Sequence, residues 1–421
     1  MTNILSLILA GLSVAYATAW LEGYDPYQFT LSAAAIAMAA LLTFFATKPQ
    51  DRARPIPRWA AIPLALIPLY LALQIVPLPM TLLSHLSPRS AEVAGWLNLT
   101  SAPLSIAPNA STAFTFRILT AMAVFFLIRQ LAWQSRWVAL IPVMSIAVLE
   151  AILGLTQAAS GLPVLGTFVN RNHYAFLLEI SLPFAVMGGI ALIKDSRETR
   201  NAISASALFA AALLLLLAIM FSLSRGGFLA ALLSLFILAI LNLQKRLRAG
   251  GFALLTVAFI GLFFLLPVTD LVLRFAEISA DGSSATSGAR QLVWKDSMPV
   301  IRDFPWFGTG LGGYETAVRR HQTTALMYTI GYAHNEYIQF LTELGLVGLA
   351  LFVIPILWIF QVLVRNIEDP LAKACLASCV AILLHCVVEY NLQAPANLLT
   401  VAWVAGVCAS LLPSQRVASR R

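Results

Sequence analysis

Long apolar runs separated by short polar segments recur from residue 2 to about residue 412. A helix crosses a bilayer with about 17 to 25 mainly apolar residues. By this criterion the pattern predicts an all-α integral membrane protein with about twelve transmembrane helices, residues 1–421 forming one polytopic membrane domain. The predicted spans are 2–20, 29–46, 60–77, 112–129, 137–158, 174–193, 202–222, 228–243, 251–267, 343–364, 372–389 and 396–412.

Composition excludes a soluble multidomain enzyme. Of the 421 residues, 60% are hydrophobic and only 11% are charged, and the mean hydropathy is +0.84. Soluble domains have roughly 25% charged residues. The net charge of +8 does not indicate nucleic-acid binding, because most basic residues lie in short clusters between apolar spans. Membrane lipids are the expected surroundings of the chain.

The basic clusters also predict an orientation. Residues 1–5 lack a basic region and a small-residue cleavage site, so the first apolar run is expected to be a retained helix. If the N-terminus is cytoplasmic, the basic clusters at 48–58, 194–200 and 245–248 all lie on the cytoplasmic side, as the positive-inside rule requires. Both termini are therefore predicted to be cytoplasmic.

Two long segments fall on the outer side in this orientation. Residues 268–342, between predicted spans nine and ten, combine a Gly/Ser-rich stretch at 281–288 with a run containing Trp294 and Trp306. Loops of this length are usually functional or disordered. We expect a flexible start followed by short helices at the membrane surface. Residues 78–111 are nearly uncharged and predict a packed cap.

Ser224-Arg225-Gly226-Gly227 lies where two apolar spans meet on the outer side. Arg225 could extend toward lipid headgroups. The adjacent glycines, however, would let the backbone and a ligand approach closely, so a phosphate ligand is the favoured interpretation. Ser224 is not expected to be a nucleophile, since no base and orienting group are evident for it.

His334 comes directly before the tenth predicted span. A helix from about Asn335 to Val364 would be about 45 Å long, which exceeds the hydrocarbon thickness of about 30 Å. Its first turns are therefore expected to project outward, where the positive end of the helix would keep His334 neutral. A histidine in this position is as consistent with a capping or surface role as with a catalytic base.

A polar cluster precedes the sixth span. Helix capping by Asn172 would explain part of it, but not Arg171 and His173 together. Basic residues of the long outer segment, including Arg290, Lys295 and Arg302, could each be simply solvated.

Buried acidic residues are few. Glu150 shares a helix face with Gln157, Glu179 lies within the sixth span, and the i, i+4 pair His385–Glu389 is well placed to form a hydrogen bond. We interpret these as internal polar networks, with a proton or ion path as the alternative. No HExxH, DxD or outward-facing carboxylate pair is present, so neither a metal nor another cofactor is expected.

Outward-facing arginines, a neutral histidine and no metal suggest one chemistry. Arginine binds phosphate bidentately and keeps its charge, so it can stabilise a departing diphosphate. Histidine can deprotonate an acceptor hydroxyl. Together they predict glycosyl transfer from a polyprenyl diphosphate.

Four short segments follow one another along the chain. They are Ser224-Arg225-Gly226-Gly227, Arg290 with Trp294, Pro305-Trp306-Phe307-Gly308-Thr309-Gly310-Leu311-Gly312, and His334-Asn335 followed by Leu341, Glu343, Gly345 and Gly348. In this order and membrane placement they resemble the O-antigen ligase family, which includes lipopolysaccharide O-antigen ligases, Wzy-type polymerases and O-linked oligosaccharyltransferases. The resemblance is strongest over residues 166–350.

The resemblance implies a GT-C-like, inverting and metal-independent glycosyltransferase of the bacterial inner membrane. Its donor would be an undecaprenyl diphosphate-linked glycan on the periplasmic face, and its acceptor the lipid A-core oligosaccharide. Arg225 and Arg290 would bind the donor diphosphate, and His334 would activate the acceptor hydroxyl. Arg171, Asn172, His173 and Asn335 would have supporting roles.

Alternatives remain within and outside this family. A polymerase would use a second lipid-linked glycan as acceptor, and an oligosaccharyltransferase would use a protein hydroxyl. A transporter of lipid-linked glycans is a different class, but it would be expected to carry charges through the middle of the membrane. Specific roles are not predicted for Arg319, Arg320, Glu150, His385 and Glu389.

Overall fold

The computed structural model describes residues 2–194, 199–243, 287–323 and 329–412. The predicted span 251–267 and most of the Gly/Ser-rich stretch 281–288 lie outside these residues. The same holds for several predicted positive-inside residues, namely Arg197, Lys245, Arg246, Arg248, Arg416, Arg420 and Arg421.

The described chain is an all-α integral membrane protein. Its helices are α1 Thr2–Ala19, α2 Pro26–Ala46, α3 Arg58–Ile75, α4 Met80–Leu86, α5 Pro88–Trp96, α6 Pro108–Gln134, α7 Ile141–Ala159, α8 Arg171–Lys194, α9 Thr199–Phe221, α10 Arg225–Asn242, α11 Ser287–Asp303, α12 Tyr314–Val318, α13 Glu336–Arg365, α14 Pro370–His385 and α15 Pro395–Ala409. Two short strands, β1 Leu78–Pro79 and β2 Ser101–Ala102, pair antiparallel.

Each predicted span in the described part of the chain coincides with a helix. Nine of the helices described here are long and apolar enough to cross a membrane, and α14 and α15 are shorter apolar helices. The agreement arises because a membrane helix satisfies its own backbone hydrogen bonds and needs only a long apolar sequence. The most buried span is α8, which packs against α9, α10 and α14.

Polar hydrogen bonds join several helices at one end of the bundle. We call this end, which contains the end of α1 and the starts of α8 and α15, the site end. The hydroxyl of Thr167, in the α7–α8 connection, donates to the carbonyl of Thr18 at the end of α1, at 2.9 Å. The amide of Asn397, on α15, donates to the carbonyl of His173 at 3.2 Å. These bonds join the end of α1 and the starts of α8 and α15 in one layer.

Glu150 and Gln157, on α7, form hydrogen bonds with the α7–α8 connection, which agrees with their interpretation as an internal polar network. Glu150 accepts hydrogen bonds from the backbone amide and hydroxyl of Thr167, at 2.8 and 2.7 Å. The side-chain oxygen of Gln157 accepts from the amides of Leu165 and Gly166, at 3.0 and 2.8 Å.

Helix α13 is not the continuous rod expected from the sequence. It begins after Asn335 as predicted, but Gly345 has a φ of 61° and breaks it. The segment 305–312 fills the break: the amide of Leu346 donates to the carbonyl of Pro305 at 2.9 Å, and that of Gly310 to the carbonyl of Glu343 at 3.0 Å. The prediction failed because glycine adopts this left-handed conformation at little cost, which apolar periodicity does not report.

Residues 78–111 form a packed cap, as predicted. They contain β1, α4, α5 and β2 around a small apolar cluster that includes Leu83 and Leu104, both almost fully buried. In the described part of the long outer segment, α11 and α12 pack on the residues that precede α13.

Candidate functional site

Arg225 is the first residue of α10, at the site end. The chain turns sharply before it, since Leu223 has a φ of 59°, and the hydroxyl of Ser224 caps α10 by accepting from the amide of Gly227 at 3.2 Å. This turn leaves Arg225 exposed, whereas Ser224 is buried. The hydroxyl of Ser224 also donates to the side chain of Asn172 at 2.8 Å, so its role is structural.

The glycines after Arg225 serve helix packing, not ligand approach as expected from the sequence. A Cβ on Gly226 would lie 2.6 Å from Cδ2 of His385, on α14. A Cβ on Gly227 would lie 2.6 Å from Cβ of Ala175, on α8. Since heavy atoms cannot approach this closely, α10 can reach both neighbouring helices only with glycine at these positions.

Glu389 connects the predicted site residues. Its Oε2 accepts from Nη2 of Arg290 at 3.1 Å and from the side-chain amide of Asn172. Its Oε1 lies 2.9 Å from Nδ1 of His334. Glu389 is only 1% exposed, whereas Arg290 and His334 are 26% and 29% exposed. The carboxylate is therefore buried, while the two side chains that it contacts remain accessible.

The predicted His385–Glu389 hydrogen bond is wrong. Nδ1 of His385 instead lies 3.0 and 3.1 Å from the two carboxylate oxygens of Glu179. The physical reason is that α14 ends at His385, so the i, i+4 geometry of a helix does not extend to Glu389. Glu179 and His385 form an internal pair, as the polar-network interpretation requires.

The charge of Glu389 defines the hydrogen position on His334. Burial raises the pKa of the Glu389 carboxyl, but the hydrogen bond and charge of His334 and the charge of Arg290 lower it to about 2. A carboxylate only accepts hydrogen bonds, so Nδ1 of His334 must carry a hydrogen. In the neutral ring Nε2 is then the basic nitrogen.

His334 itself sits in an unusual backbone position. Its φ is 49°, which is rare for a residue with a Cβ. The next residue, Asn335, caps α13 by accepting from the amides of Tyr337 and Ile338, at 3.0 and 3.1 Å. On the other side, the indole of Trp294 donates to the carbonyl of Ala333 at 2.9 Å, which ties α11 to this turn. Asn335 therefore fixes the start of α13 directly after His334.

Three arginines lie close together at the site end. The positive charges of Arg171 and Arg290 both act on Arg225. Nε of Arg290 is buried and has no hydrogen-bond partner among the described residues. Arg290 pairs with Glu389, and guanidinium groups bind phosphate bidentately, so a cluster of arginines is suited to an anionic ligand.

The polar stretch before α8 supports this arrangement. The side chain of Asn170 accepts from the amide of Asn172 at 2.8 Å, so Asn170 takes the capping role predicted for Asn172, because α8 begins at Arg171, two residues earlier than a cap at Asn172 requires. Asn172 instead bridges Ser224 and Glu389. His173 is buried, with Nδ1 2.5 Å from a carboxylate oxygen of Glu22.

Glu22 was not identified from the sequence. It is fully buried after α1, and its other carboxylate oxygen accepts from the amides of Val169 and Asn170, at 2.8 and 2.9 Å. An acidic residue next to Gly23 at the end of an apolar span was the available signal, since ionisable groups there are costly unless they have a function.

Tyrosines form a second unpredicted part of the site. Tyr390 stacks on Tyr332 with ring centroids 4.3 Å apart, and its ring meets the edges of His334 and His173 at 4.8 and 5.0 Å. Burial raises the pKa of both tyrosines, so their hydroxyl groups stay protonated at neutral pH.

Other residues considered from the sequence lie elsewhere. Arg319 pairs with Glu315 at 2.6 Å, and the guanidinium of Arg320 lies 5.4 Å from the ring centroid of Trp96. Among the described residues, no group of three or more His, Cys, Asp or Glu side chains could hold a metal ion.

Comparison with known families agrees with the resemblance of the sequence. Residues 210–353 match the family model described as O-antigen ligase. The matched region contains Arg225, Arg290 and His334 but neither Glu389 nor the stretch before α8. No curated protein matches the chain.

Proposed function

Starting from the assignment to the O-antigen ligase family that residues 210–353 support, we propose that this chain is a membrane glycosyltransferase that transfers glycan from undecaprenyl diphosphate to the lipid A-core oligosaccharide. The observation that carries the proposal is the position of Glu389, which binds Arg290 and His334 through its two oxygens. Glu389 thereby holds Arg290, the proposed binding residue for the diphosphate, next to His334, the proposed base.

The proposed reaction breaks one bond and forms another. Nε2 of His334 accepts the proton of the acceptor hydroxyl, and the oxygen attacks the anomeric carbon of the donor. The bond between that carbon and the diphosphate oxygen breaks, and the diphosphate leaves with the electron pair. Arg225 and Arg290 stabilise its negative charge, with Arg171 in support, so that no metal is needed. Attack opposite the leaving group inverts the anomeric centre.

Glu389 contributes by orienting His334. An ionised carboxylate on Nδ1 keeps the hydrogen there, directs Nε2 outward and stabilises the imidazolium that forms as the proton arrives. Because the same carboxylate also binds Arg290, the proposed base and the proposed diphosphate-binding arginine are held in a fixed arrangement. Asn172 is the third side chain that contacts Glu389, and it also bonds to Ser224 in the turn before Arg225.

The proposed location follows from the basic clusters. The positive-inside rule puts both termini in the cytoplasm and the site end in the periplasm, in a bacterial inner membrane. A GT-C-like architecture, with the active site at the outer membrane surface, fits the location of Arg225 and His334 at the starts of helices.

The proposal is tested with purified protein in lipid nanodiscs. Undecaprenyl diphosphate-linked glycan and lipid A-core are supplied in the presence of a chelator, and products are separated by carrier. Wild-type protein should glycosylate lipid A-core, and His334→Ala should lose this activity. His85→Ala is the matched control, because His85 is exposed on α4 and bonds only to the carbonyl of Thr81 among the described residues.

Other products would identify an alternative. Longer glycan on the polyprenyl carrier would indicate a polymerase, and glycan on an added protein would indicate an oligosaccharyltransferase. If no transfer occurs, glycosyl transfer is wrong and transport becomes the leading explanation. In that case Glu150→Gln should impair glycan translocation in vesicles, whereas His334→Ala should not.

A further inference from the structure

Arg117 is an arginine within a candidate membrane span that the proposed reaction does not use. It lies nine residues after Pro108, the first residue of α6, which places it about 14 Å along the helix from that residue. Its guanidinium lies 4.7 Å from the ring centroid of Phe114 and 5.8 Å from that of Tyr24. Among the described residues, no carboxylate forms an ion pair with it.

An arginine at this depth needs an explanation. Charged side chains within a membrane span are costly and usually pair with one another or contact a ligand. Aromatic rings attract a guanidinium through their faces, but they neither neutralise its charge nor accept hydrogen bonds from most of its N–H groups. Arg290 is different, because its guanidinium already pairs with Glu389.

Arg117 is connected to the catalytic histidine through tyrosines. Its positive charge opposes the rise that burial causes in the pKa of Tyr332. Tyr332 stacks on Tyr390, whose ring meets that of His334 at 4.8 Å. On its other side His334 contacts Glu389 through Nδ1, and Glu389 pairs with Arg290. His334 therefore contacts the Glu389–Arg290 pair through Nδ1 and the stacked tyrosines through its ring, and the charge of Arg117 acts on the tyrosine stack.

We propose that Arg117, with Tyr24 and Tyr332, binds an acidic group of the acceptor glycan, either a sugar carboxylate or a sugar phosphate. This inference rests on the proposed function. In the proposed reaction Arg225, Arg290 and Arg171 bind the donor diphosphate, so Arg117, whose charge acts on the tyrosine stack next to His334, is available to the other substrate. Tyrosine rings and hydroxyl groups next to that cation suit a sugar ring with its hydroxyl groups.

The test compares acceptors and variants in nanodiscs by initial-rate kinetics. Three acceptors are used: intact lipid A-core, dephosphorylated lipid A-core and carboxyl-reduced lipid A-core. Arg117→Gln should raise the KM for intact acceptor about tenfold, because a hydrogen-bonded ion contact is lost. The donor KM and kcat should change less than twofold. Arg320→Gln is the control, because it also removes a guanidinium that lies over an aromatic ring. It should leave the acceptor KM, the donor KM and kcat unchanged.

Removing the acidic group that Arg117 binds should raise the KM of wild-type protein by the same factor. It should not raise the KM of Arg117→Gln further, since that variant has already lost the contact. The affected acceptor, dephosphorylated or carboxyl-reduced, identifies the group. Arg117→Lys keeps the charge without the planar fork and should give an intermediate KM. If Arg117→Gln does not fold, the lysine variant and the wild-type comparison of acceptors provide the same test.

Several outcomes would overturn this inference. Equal wild-type KM values for the three acceptors would do so, as would a rise in the donor KM of Arg117→Gln. A KM that depends on anionic lipid in the nanodisc, and not on the acceptor, would assign Arg117 to a lipid headgroup. Each of these leaves the proposed function intact, whereas the absence of any transfer by wild-type protein would contradict the proposed function itself.

Discussion

Nδ1 of His334 lies 2.9 Å from Oε1 of Glu389, although the two residues belong to segments that flank different helices. This contact assigns the hydrogen of the neutral imidazole to Nδ1 and leaves Nε2 as the base. In the proposed reaction Glu389 is a positioning residue, because it contacts His334 and Arg290 and would act on the substrate only through them.

Replacement of Glu389 tests this role. Glu389→Gln keeps the size of the side chain but can present an amide donor to Nδ1, which would favour the wrong tautomer of His334. We expect kcat for glycan transfer to fall about 10²- to 10⁴-fold, the range that general acid–base catalysis contributes. Glu92→Gln is the control, since Glu92 pairs with Arg89 on α5, away from the site. Unchanged kcat in Glu389→Gln would contradict the assignment.

The arginines are expected to require their planar shape. Arg225→Lys and Arg290→Lys keep a positive charge but lose bidentate phosphate binding. Each should lower kcat/KM for the donor by about tenfold or more, with the larger effect at Arg290, which also pairs with Glu389. Arg319→Lys serves as the control, because Arg319 pairs with Glu315. A donor kcat/KM equal to that of wild type would exclude these residues as diphosphate ligands.

Acidification provides a test of the charge on Glu389. Its pKa is lowered to about 2 in the folded protein, below the usual carboxyl value of 4.5. A lowered pKa means that the carboxylate stabilises the fold fully above about pH 4.5 and loses this contribution as pH falls toward 2. The difference in thermal unfolding midpoint between wild type and Glu389→Gln should therefore shrink as the pH falls from about 4.5 toward 2. If the difference in midpoint instead grew as the pH falls below about 4.5, the pKa of Glu389 would be raised in the folded protein, which would contradict the pairing with His334 and Arg290.

Gly345 is expected to be essential for joining the two parts of α13. A Cβ there would lie 2.5 Å from the carbonyl of Trp306, and the φ of 61° disfavours any other residue. Gly345→Ala should lower the free energy of unfolding by about 1–3 kcal/mol or more, seen as a lower thermal midpoint. Gly95→Ala should not destabilise the protein, because nothing lies within 4 Å of a Cβ at Gly95. Equal midpoints for the two variants would mean that the break tolerates a side chain.

Glu22 is predicted to affect transfer without touching substrate. Glu22→Ala removes the partner of His173 and of two backbone amides, so the stretch carrying Arg171 and Asn172 should loosen. Breaking a buried pair of this kind costs about 3–5 kcal/mol when the pair is ionic. Glu22→Gln can still bond to one partner and should retain more stability and activity. Circular dichroism on heating and donor KM measure the two effects, and equal behaviour of both variants would argue against the proposed pairing.

The membrane architecture could be predicted from the sequence because its signals are local. A span needs only a long apolar run, and each predicted span in the described residues is a helix. The starts of α10 and α13 were also locally encoded, since Ser224 and Asn335 have side chains that cap helices. Arg225 and His334 each lie beside such a cap, so the sequence alone could assign both to the starts of their helices.

The tertiary structure decided how these residues combine. Glu389 meets His334 and Arg290 across 55 and 99 residues of chain, and nothing in local sequence distinguishes it from its neighbour His385 as a partner. The pairing of Glu22 with His173, the stacking of Tyr332 on Tyr390 and the break at Gly345 likewise depend on packing between distant segments. Hydrophobic length and helix caps are properties of short segments and can be read along the chain. Partner choice depends on where the helices end and which side chains they bury together, and only the folded bundle determines that.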